Sequence, residues 1–318
     1  MTSIIVPLLL SLVLFGDEVT GFVTNNHNNM VVQPALVQRQ EVRMMAIITS
    51  QSVESLLDEN RAKLEELAPI APEMSTLERL RFAMAFRKNR TEARRKLREA
   101  MKYRKSTAGK PIIDAATQAY ASATNAEGGW DNDVVRDAAP HAAIINKFIT
   151  PKNILTLSTE EGDLLYVIRA SLIDDKTLMS SVSVEQMTEF FLYVKEIHNL
   201  VANARSEKTG RLCEVIFAND ISGISAIPDS RFFQALTESS QQYEELYPSL
   251  AGPTMILNLP FVLQAFIGLI KPLFPSTVQD RLAFESAPVL EGLDELTPLT
   301  TDADKRKSFL AEIKSLLS

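Results

Sequence analysis

Residues 215–284 constrain the fold more than any other part of the sequence, because short apolar runs alternate there with helical patterns. The apolar runs lie at 215–218, 254–258 and 281–284, and an amphipathic helix pattern extends over 229–246. Short buried strands that alternate with helices indicate βαβ units and a parallel sheet. The sequence therefore predicts an α/β fold, a mostly parallel sheet with helices on both sides, preceded by an all-helical N-terminal module.

The residues that punctuate this segment follow a recognisable order: Tyr-Pro, glycine, strand, Asn-x-Pro, apolar helix, Lys-Pro, strand. This order resembles that of the CRAL-TRIO lipid-binding family. The resemblance implies a sheet flanked by helices that enclose one hydrophobic lipid behind a mobile helix. The matching residues are Tyr247, Pro248, Gly252, Asn258, Pro260, Lys271, Pro272, Phe274 and Pro275.

The helix predicted from Phe261 to Ile270 is apolar on nearly every side. Such a helix is buried all round or faces a membrane or an apolar ligand, and this one is too short to cross a bilayer. An ordinary core helix is the alternative interpretation, whereas the resemblance implies the gate over the lipid. The gate candidates are Phe261, Val262, Ala265, Phe266, Leu269 and Ile270.

Ligand contacts are implied by the resemblance alone. Family members that bind phosphatidylinositol have an acidic residue after Tyr-Pro, where this chain has Ser249, and a lysine before the last strand, where it has Arg281. The positions that hold choline headgroups are Val215 and Phe217, which disfavours phosphatidylcholine and leaves phosphoinositides, other glycerolipids and isoprenoids open. The headgroup candidates are Arg87, Ser249, Lys271 and Arg281, and the pocket-wall candidates are Val215, Phe217 and Phe190.

The N-terminal helical module carries the strongest charge asymmetry of the sequence. Residues 77–110 contain 13 basic and 3 acidic residues, although the formal charge of the whole chain is −7. A solvated helix surface, an anionic-membrane docking face and nucleic-acid binding are three interpretations, and the lack of stacking aromatics and of known motifs disfavours the last. The resemblance favours peripheral docking on an anionic membrane. The docking candidates are Arg94, Arg95 and Arg98.

The first 50 residues read as targeting sequence. Residues 4–15 are an apolar run of signal-peptide length, and residues 22–52 contain a single acidic residue, Glu41. This pair of segments resembles the signal plus transit peptide of proteins imported into secondary plastids. The prediction is therefore a plastid protein, with secretion or an endomembrane lumen as the alternative.

Signatures of catalysis and of metal binding are missing from the sequence. One cysteine, Cys213, excludes an internal disulfide, and the three histidines lack the spacing of metal ligands. His198 lies on the apolar face of a predicted helix and is expected to be a core histidine. We therefore expect no catalytic residue, no cofactor and no metal.

The predicted organisation is as follows: signal peptide 1–21, transit-like segment 22–50, helical module 51–106, insertion 107–152, lipid-binding domain 153–300 and a terminal helix 301–318. The expected function is binding of one hydrophobic lipid and its presentation or transfer between membranes by a monomer. A membrane-associated adaptor with a filled pocket is the runner-up, and a lipid-modifying enzyme is third.

Overall fold

The computed structural model describes residues 51–126, 130–158, 162–220, 229–257 and 282–285. Three helices form the N-terminal module: α1 Val53–Leu67, α2 Thr76–Ala85 and α3 Arg90–Arg104. The hydroxyl of Ser75 and the carboxylate of Glu78 form a capping box at the start of α2. Helix α2 ends at Ala85, and the Asn89 side chain accepts from the Glu92 amide and caps α3.

The segment predicted as an insertion is mostly helical. It contains α4 Gly109–Thr124, α5 Asn132–Asp137 and α6 Ala142–Ile145. Helix α4 packs against the long helix introduced below as α8, and its Tyr120 ring lies 5.8 Å from that of buried Trp130. The sequence left the role of Trp130 undecided, and the structure places its ring in the core.

Five strands form one sheet in the order β1-β2-β3-β4-β5. The strands are β1 Ile154–Ser158, β2 Leu164–Arg169, β3 Val215–Asp220, β4 Ala251–Leu257 and β5 Leu282–Glu285. Strands β1 and β2 form the predicted antiparallel hairpin, with Gly162 at φ 95°, and β2 to β5 are parallel. The mostly parallel sheet predicted from the sequence is confirmed.

The helices α7 Asp175–Ser181 and α8 Val184–Thr209 connect β2 to β3, and α9 Ser230–Leu246 connects β3 to β4. His198 of α8 contacts Thr156 and Tyr166, and Tyr243 of α9 contacts Phe217. Tyr166 is the register partner of both Thr156 and Phe217, so these three side chains share one face of the sheet. The two described crossover helices α8 and α9 thus lie on the same face of the sheet, which we call the helix-side face.

The opposite face of the sheet is also apolar. Its side chains at Leu155, Leu165, Val167 and Ala218 are all buried. They belong to neither of the two hydrophobic clusters formed by described residues. The larger of these clusters joins the helix-side face to α3, α4, α8 and α9, so the main described core lies on the helix side.

Candidate functional site

The predicted pocket wall lies in the core of the helix-side face. Val215 and Phe217 are 0% and 2% exposed, and the Phe217 ring contacts Tyr166 at 6.1 Å and Tyr243 at 5.8 Å. Phe190 packs edge-on against Phe191 at 5.8 Å. The structure thus brings all three candidates onto the side of the sheet that carries α8 and α9. Their contact with a ligand stays a prediction.

The described headgroup candidates lie apart from one another. Arg87 is exposed in the turn between α2 and α3. Ser249 is half-buried in the turn after α9, has φ 57°, and its carbonyl accepts a 2.7 Å hydrogen bond from Arg81 Nη1. Lys271, Arg281 and the six gate candidates lie outside the described residues.

A buried lysine that the sequence analysis did not single out lies between α8 and α9. Lys195 is 4% exposed, and its Nζ donates to the Ser239 hydroxyl at 2.9 Å and stands 5.4 Å from the centre of the Tyr243 ring. Burial lowers the pKa of Lys195 well below its ordinary value, while the nearby charge of Glu244 acts in the opposite direction. The sequence contained one indication that Lys195 is buried. Lys195 lies four residues after Phe191, and residues at this spacing share one face of a helix, which in α8 is the apolar face.

His198 is a core histidine, as predicted. Its Nε2 lies 2.9 Å from the Thr156 hydroxyl, and its ring contacts the Tyr166 ring at 4.9 Å. Burial first, and the positive charge of Lys195 second, lower the pKa of His198 to about 3. The imidazole is therefore neutral at physiological pH, and its buried Nδ1 has no hydrogen-bond partner within the described part of the chain.

Two arginines, one buried and one partly buried, attach the helical module to the rest of the structure. Arg81 of α2 is 1% exposed and donates from Nε to Asn203 Oδ1 at 3.0 Å and from Nη2 to the Cys213 carbonyl at 2.7 Å. Arg104 of α3 forms a two-pronged ion pair with fully buried Glu196 of α8, at 2.9 and 2.8 Å. Burial opposes the charge of Arg104, but Glu196 outweighs it and raises the pKa of Arg104. Neither arginine is available to a membrane surface.

The predicted docking residues on α3 differ in how they are paired. Arg94 lies 3.6 Å from a carboxylate oxygen of Glu66, and Arg95 is held by Glu92 and Glu99 on its own helix. Arg98 is exposed and has no hydrogen-bond or ion-pair partner among the described residues. Of the three, Arg98 presents the least compensated charge.

The described residues contain neither a metal-binding group of side chains nor a helix that could span a membrane. No group of three or more His, Cys, Asp or Glu side chains in those ranges is arranged to hold a metal ion. No helix among the same residues has the length and apolar character needed to cross a membrane.

Comparison with known proteins identifies the sheet-containing part of the chain. The model of the CRAL/TRIO domain matches residues 150–298, the range that contains β1 to β5 and α7 to α9. No curated protein matches the sequence. A solved structure that matches is the crystal structure of Sfh5, at 12% identity and TM-score 0.44, covering 90% of this chain and 98% of that one. Residues 150–298 thus match the CRAL/TRIO domain, as the resemblance in the sequence predicted.

Proposed function

We propose that the protein binds one hydrophobic lipid and presents it to, or transfers it between, membranes without covalent chemistry. The observation that carries this proposal is the match of residues 150–298 to the CRAL/TRIO domain, a lipid-binding module. The apolar, aromatic-rich helix-side face supports it, because an enclosed lipid needs apolar walls.

Packing favours a lipid site on the helix-side face. The pocket-wall candidates Val215, Phe217 and Phe190 all belong to the apolar cluster on that side of the sheet, and the Phe217 ring contacts those of Tyr166 and Tyr243. The gate candidates from Phe261 to Ile270 lie between β4 and β5 in the sequence and outside the described residues. We therefore propose that they close over a lipid held against Val215, Phe217 and neighbouring side chains.

Native mass spectrometry of the purified protein tests the proposal. We expect a population heavier than the polypeptide by one lipid, which disappears when the protein is denatured. The same measurement follows after incubation with vesicles of phosphatidylinositol, of a mixed glycerolipid and of an isoprenoid alcohol. A polypeptide mass alone under all four conditions would contradict lipid binding.

One observation favours the adaptor with a filled pocket. Phe190, Val215 and Phe217 are 5% exposed or less, and the two phenylalanine rings pack against the rings of Phe191, Tyr166 and Tyr243. An adaptor of this kind would bind anionic vesicles yet carry no lipid in the mass spectrum. Native mass spectrometry and a vesicle-binding measurement together therefore distinguish the adaptor from the transfer protein.

The gate makes a testable prediction about Phe266 and Leu269. A mobile lid contributes little to global stability, so Phe266→Ala and Leu269→Ala should change the vesicle-to-vesicle transfer rate with little change in Tm. The matched control is Leu97→Ala in α3, where Leu97 is 0% exposed. That change should cost about 2–5 kcal/mol, as core substitutions do. If both gate variants lose as much stability as the control, this helix belongs to the core.

Docking on an anionic membrane is proposed for the exposed face of α3. Arg98→Glu should weaken binding to phosphatidylserine vesicles, and the loss should shrink with salt because exposed charges are screened over about 10 Å at 0.1 M ionic strength. Arg61→Glu on α1 is the matched control, since Arg61 is also exposed and the net charge changes equally. Vesicle sedimentation measures both variants. Equal weakening by the two would show that net charge, rather than this face, controls binding.

We also propose delivery to a plastid by residues 1–50, with secretion as the alternative. The support is the apolar run at 4–15 followed by the acid-poor stretch at 22–52. A fluorescent reporter fused to residues 1–50 should accumulate in the plastid of an alga with a secondary plastid. Its appearance in the medium would contradict this assignment.

A further inference from the structure

The helix-side face contains buried polar atoms that have no hydrogen-bond partner among the described residues. They include the hydroxyl of Tyr166, Nδ1 of His198, and both side-chain amide atoms of Asn219. The three residues are 4%, 2% and 1% exposed, respectively. We call Tyr166, His198 and Asn219 the buried polar cluster. Buried polar groups nearly always have hydrogen-bond partners, so four such atoms in one region require an explanation.

The cluster residues are neighbours in the sheet and the helix above it. Tyr166 lies between the other two: its ring contacts His198, and its register partner on β3, Phe217, is two residues before Asn219. Residues i and i+2 of a strand share a face, and diagonal neighbours on adjacent strands lie about 7–8 Å apart, within reach of an aromatic side chain. The polar atoms thus lie between the first three strands and α8, beside the predicted pocket wall.

The chemistry of the cluster suits an uncharged partner. The amide of Asn219 carries no charge, the imidazole of His198 is neutral, and burial raises the pKa of Tyr166, which keeps its hydroxyl protonated. The nearby Lys195 already donates to the Ser239 hydroxyl. A phosphate here would bring an unbalanced negative charge into the core, which is strongly unfavourable. A hydroxyl both donates and accepts, and it therefore fits a phenol, an amide and either tautomer of the histidine.

We propose that the buried polar cluster binds the uncharged polar end, a hydroxyl or carbonyl group, of the lipid. The inference rests on the proposed function and narrows its ligand class to lipid alcohols and ketones, for example isoprenoid alcohols, instead of phospholipids. The hydrocarbon part would lie against the aromatic side chains of the helix-side face, such as Phe217 and Phe190. The phospholipid headgroup positions that the resemblance implies have no role in this arrangement.

The test compares three lipids and three variants of the full chain. The probes are geranylgeraniol, its parent hydrocarbon without the hydroxyl, and phosphatidylinositol, each radiolabelled in vesicles, and the protein-bound fraction is measured after the vesicles are pelleted. We expect the alcohol to bind more tightly than the hydrocarbon. Tyr166→Phe and Asn219→Leu should each lower the affinity for the alcohol about tenfold, which is the effect of one lost hydrogen bond. Both variants should bind the hydrocarbon as the wild type does.

Tyr193→Phe is the matched control. The Tyr193 hydroxyl is also buried, but it donates to the Val135 carbonyl at 2.7 Å, so its removal should leave the preference for the alcohol intact. Thermal melts show whether each variant folds, and Tyr166→Phe should not lower Tm because it removes an unpartnered group.

The outcomes separate this inference from the proposed function. Binding of phosphatidylinositol but not of the alcohol would overturn the inference and leave the proposed function intact. Alcohol binding that is unchanged in Tyr166→Phe and Asn219→Leu would also overturn it, because internal water would then satisfy the cluster. Failure of all three lipids to bind would overturn the proposed function itself.

Discussion

Replacement of Arg81 by methionine is expected to lower the free energy of unfolding by about 3–5 kcal/mol, because it leaves several buried acceptors without a donor. The guanidinium donates to Asn203 Oδ1 and to the carbonyls of Cys213 and Ser249, at 3.0, 2.7 and 2.7 Å. Burial lowers the pKa of Arg81, and the negative charge of Glu214 acts against this shift. The three hydrogen bonds therefore stabilise a cation that would otherwise be unfavourable in the core.

Urea denaturation measures this loss, and two further variants test its cause. Arg98→Met removes an exposed guanidinium without described partners and should change stability by less than about 0.5 kcal/mol. Arg81→Lys keeps the charge but lacks the planar fork that reaches three acceptors, so it should recover only a small part of the loss. A cost below about 1 kcal/mol for Arg81→Met would contradict the role of the three hydrogen bonds.

The same contacts join the helical module to the sheet-containing part of the structure. Arg81 joins α2 to the residues that precede β3 and to the turn after α9, and Arg104 joins α3 to α8. A charge on the outer face of α3 is therefore fixed relative to the sheet. If α3 docks on a membrane, it sets the orientation of the helix-side face above that membrane.

Local sequence rules predicted much of this architecture. The amphipathic pattern over 229–246 predicted α9, and the structure confirms this helix, with Asp229 as its N-cap. The apolar runs at 215–218 and 254–258 predicted two buried strands, which the structure confirms as β3 and β4. These elements are predictable because neighbouring residues determine them.

Contacts between distant residues were not predictable in the same way. In the sequence, Arg81 and Arg104 belong to one basic stretch. In the structure, their side chains bind residues far along the chain, Asn203 and Glu196 respectively. Helical periodicity indicates which face is apolar, but it does not show where a buried charge finds its partner. For the same reason, Tyr166 read as an ordinary strand residue until the packing of α8 placed its ring against His198.

The second large effect is a loss of folding stability at acidic pH, caused by His198. We expect stability to fall as the pH is lowered from 7 to 5, and His198→Gln to remove about 2 kcal/mol of that fall. His198 has a pKa of about 3 in the folded protein because burial, and then the charge of Lys195, disfavour its protonation. In the unfolded chain its pKa is about 6.5. Between these values the unfolded state binds more protons, so acid favours unfolding.

The sign and the pH range follow from these two pKa values. The stability that neutral His198 preserves is present above about pH 6.5 and is lost progressively as the pH falls toward the folded value. The groups that face the imidazole are Lys195 on the same helix, Tyr166 from β2 and Thr156 from β1. Tyr166 and Lys195 are present in both wild type and His198→Gln, and neither titrates between pH 5 and 7 in the unfolded chain, so the difference between the two proteins reports on the histidine and its coupling to Lys195.

Chemical denaturation at a series of pH values provides the measurement. His141→Gln is the matched control, because His141 is the other described histidine and its Nε2 lies 2.7 Å from a carboxylate oxygen of Glu189 instead of a hydroxyl in the core. Only the His198 variant should flatten the profile between pH 7 and 5. An equal slope in wild type and His198→Gln would show that this imidazole is accessible to protons in the folded protein, through an opening of the helix-side face between α8 and the sheet.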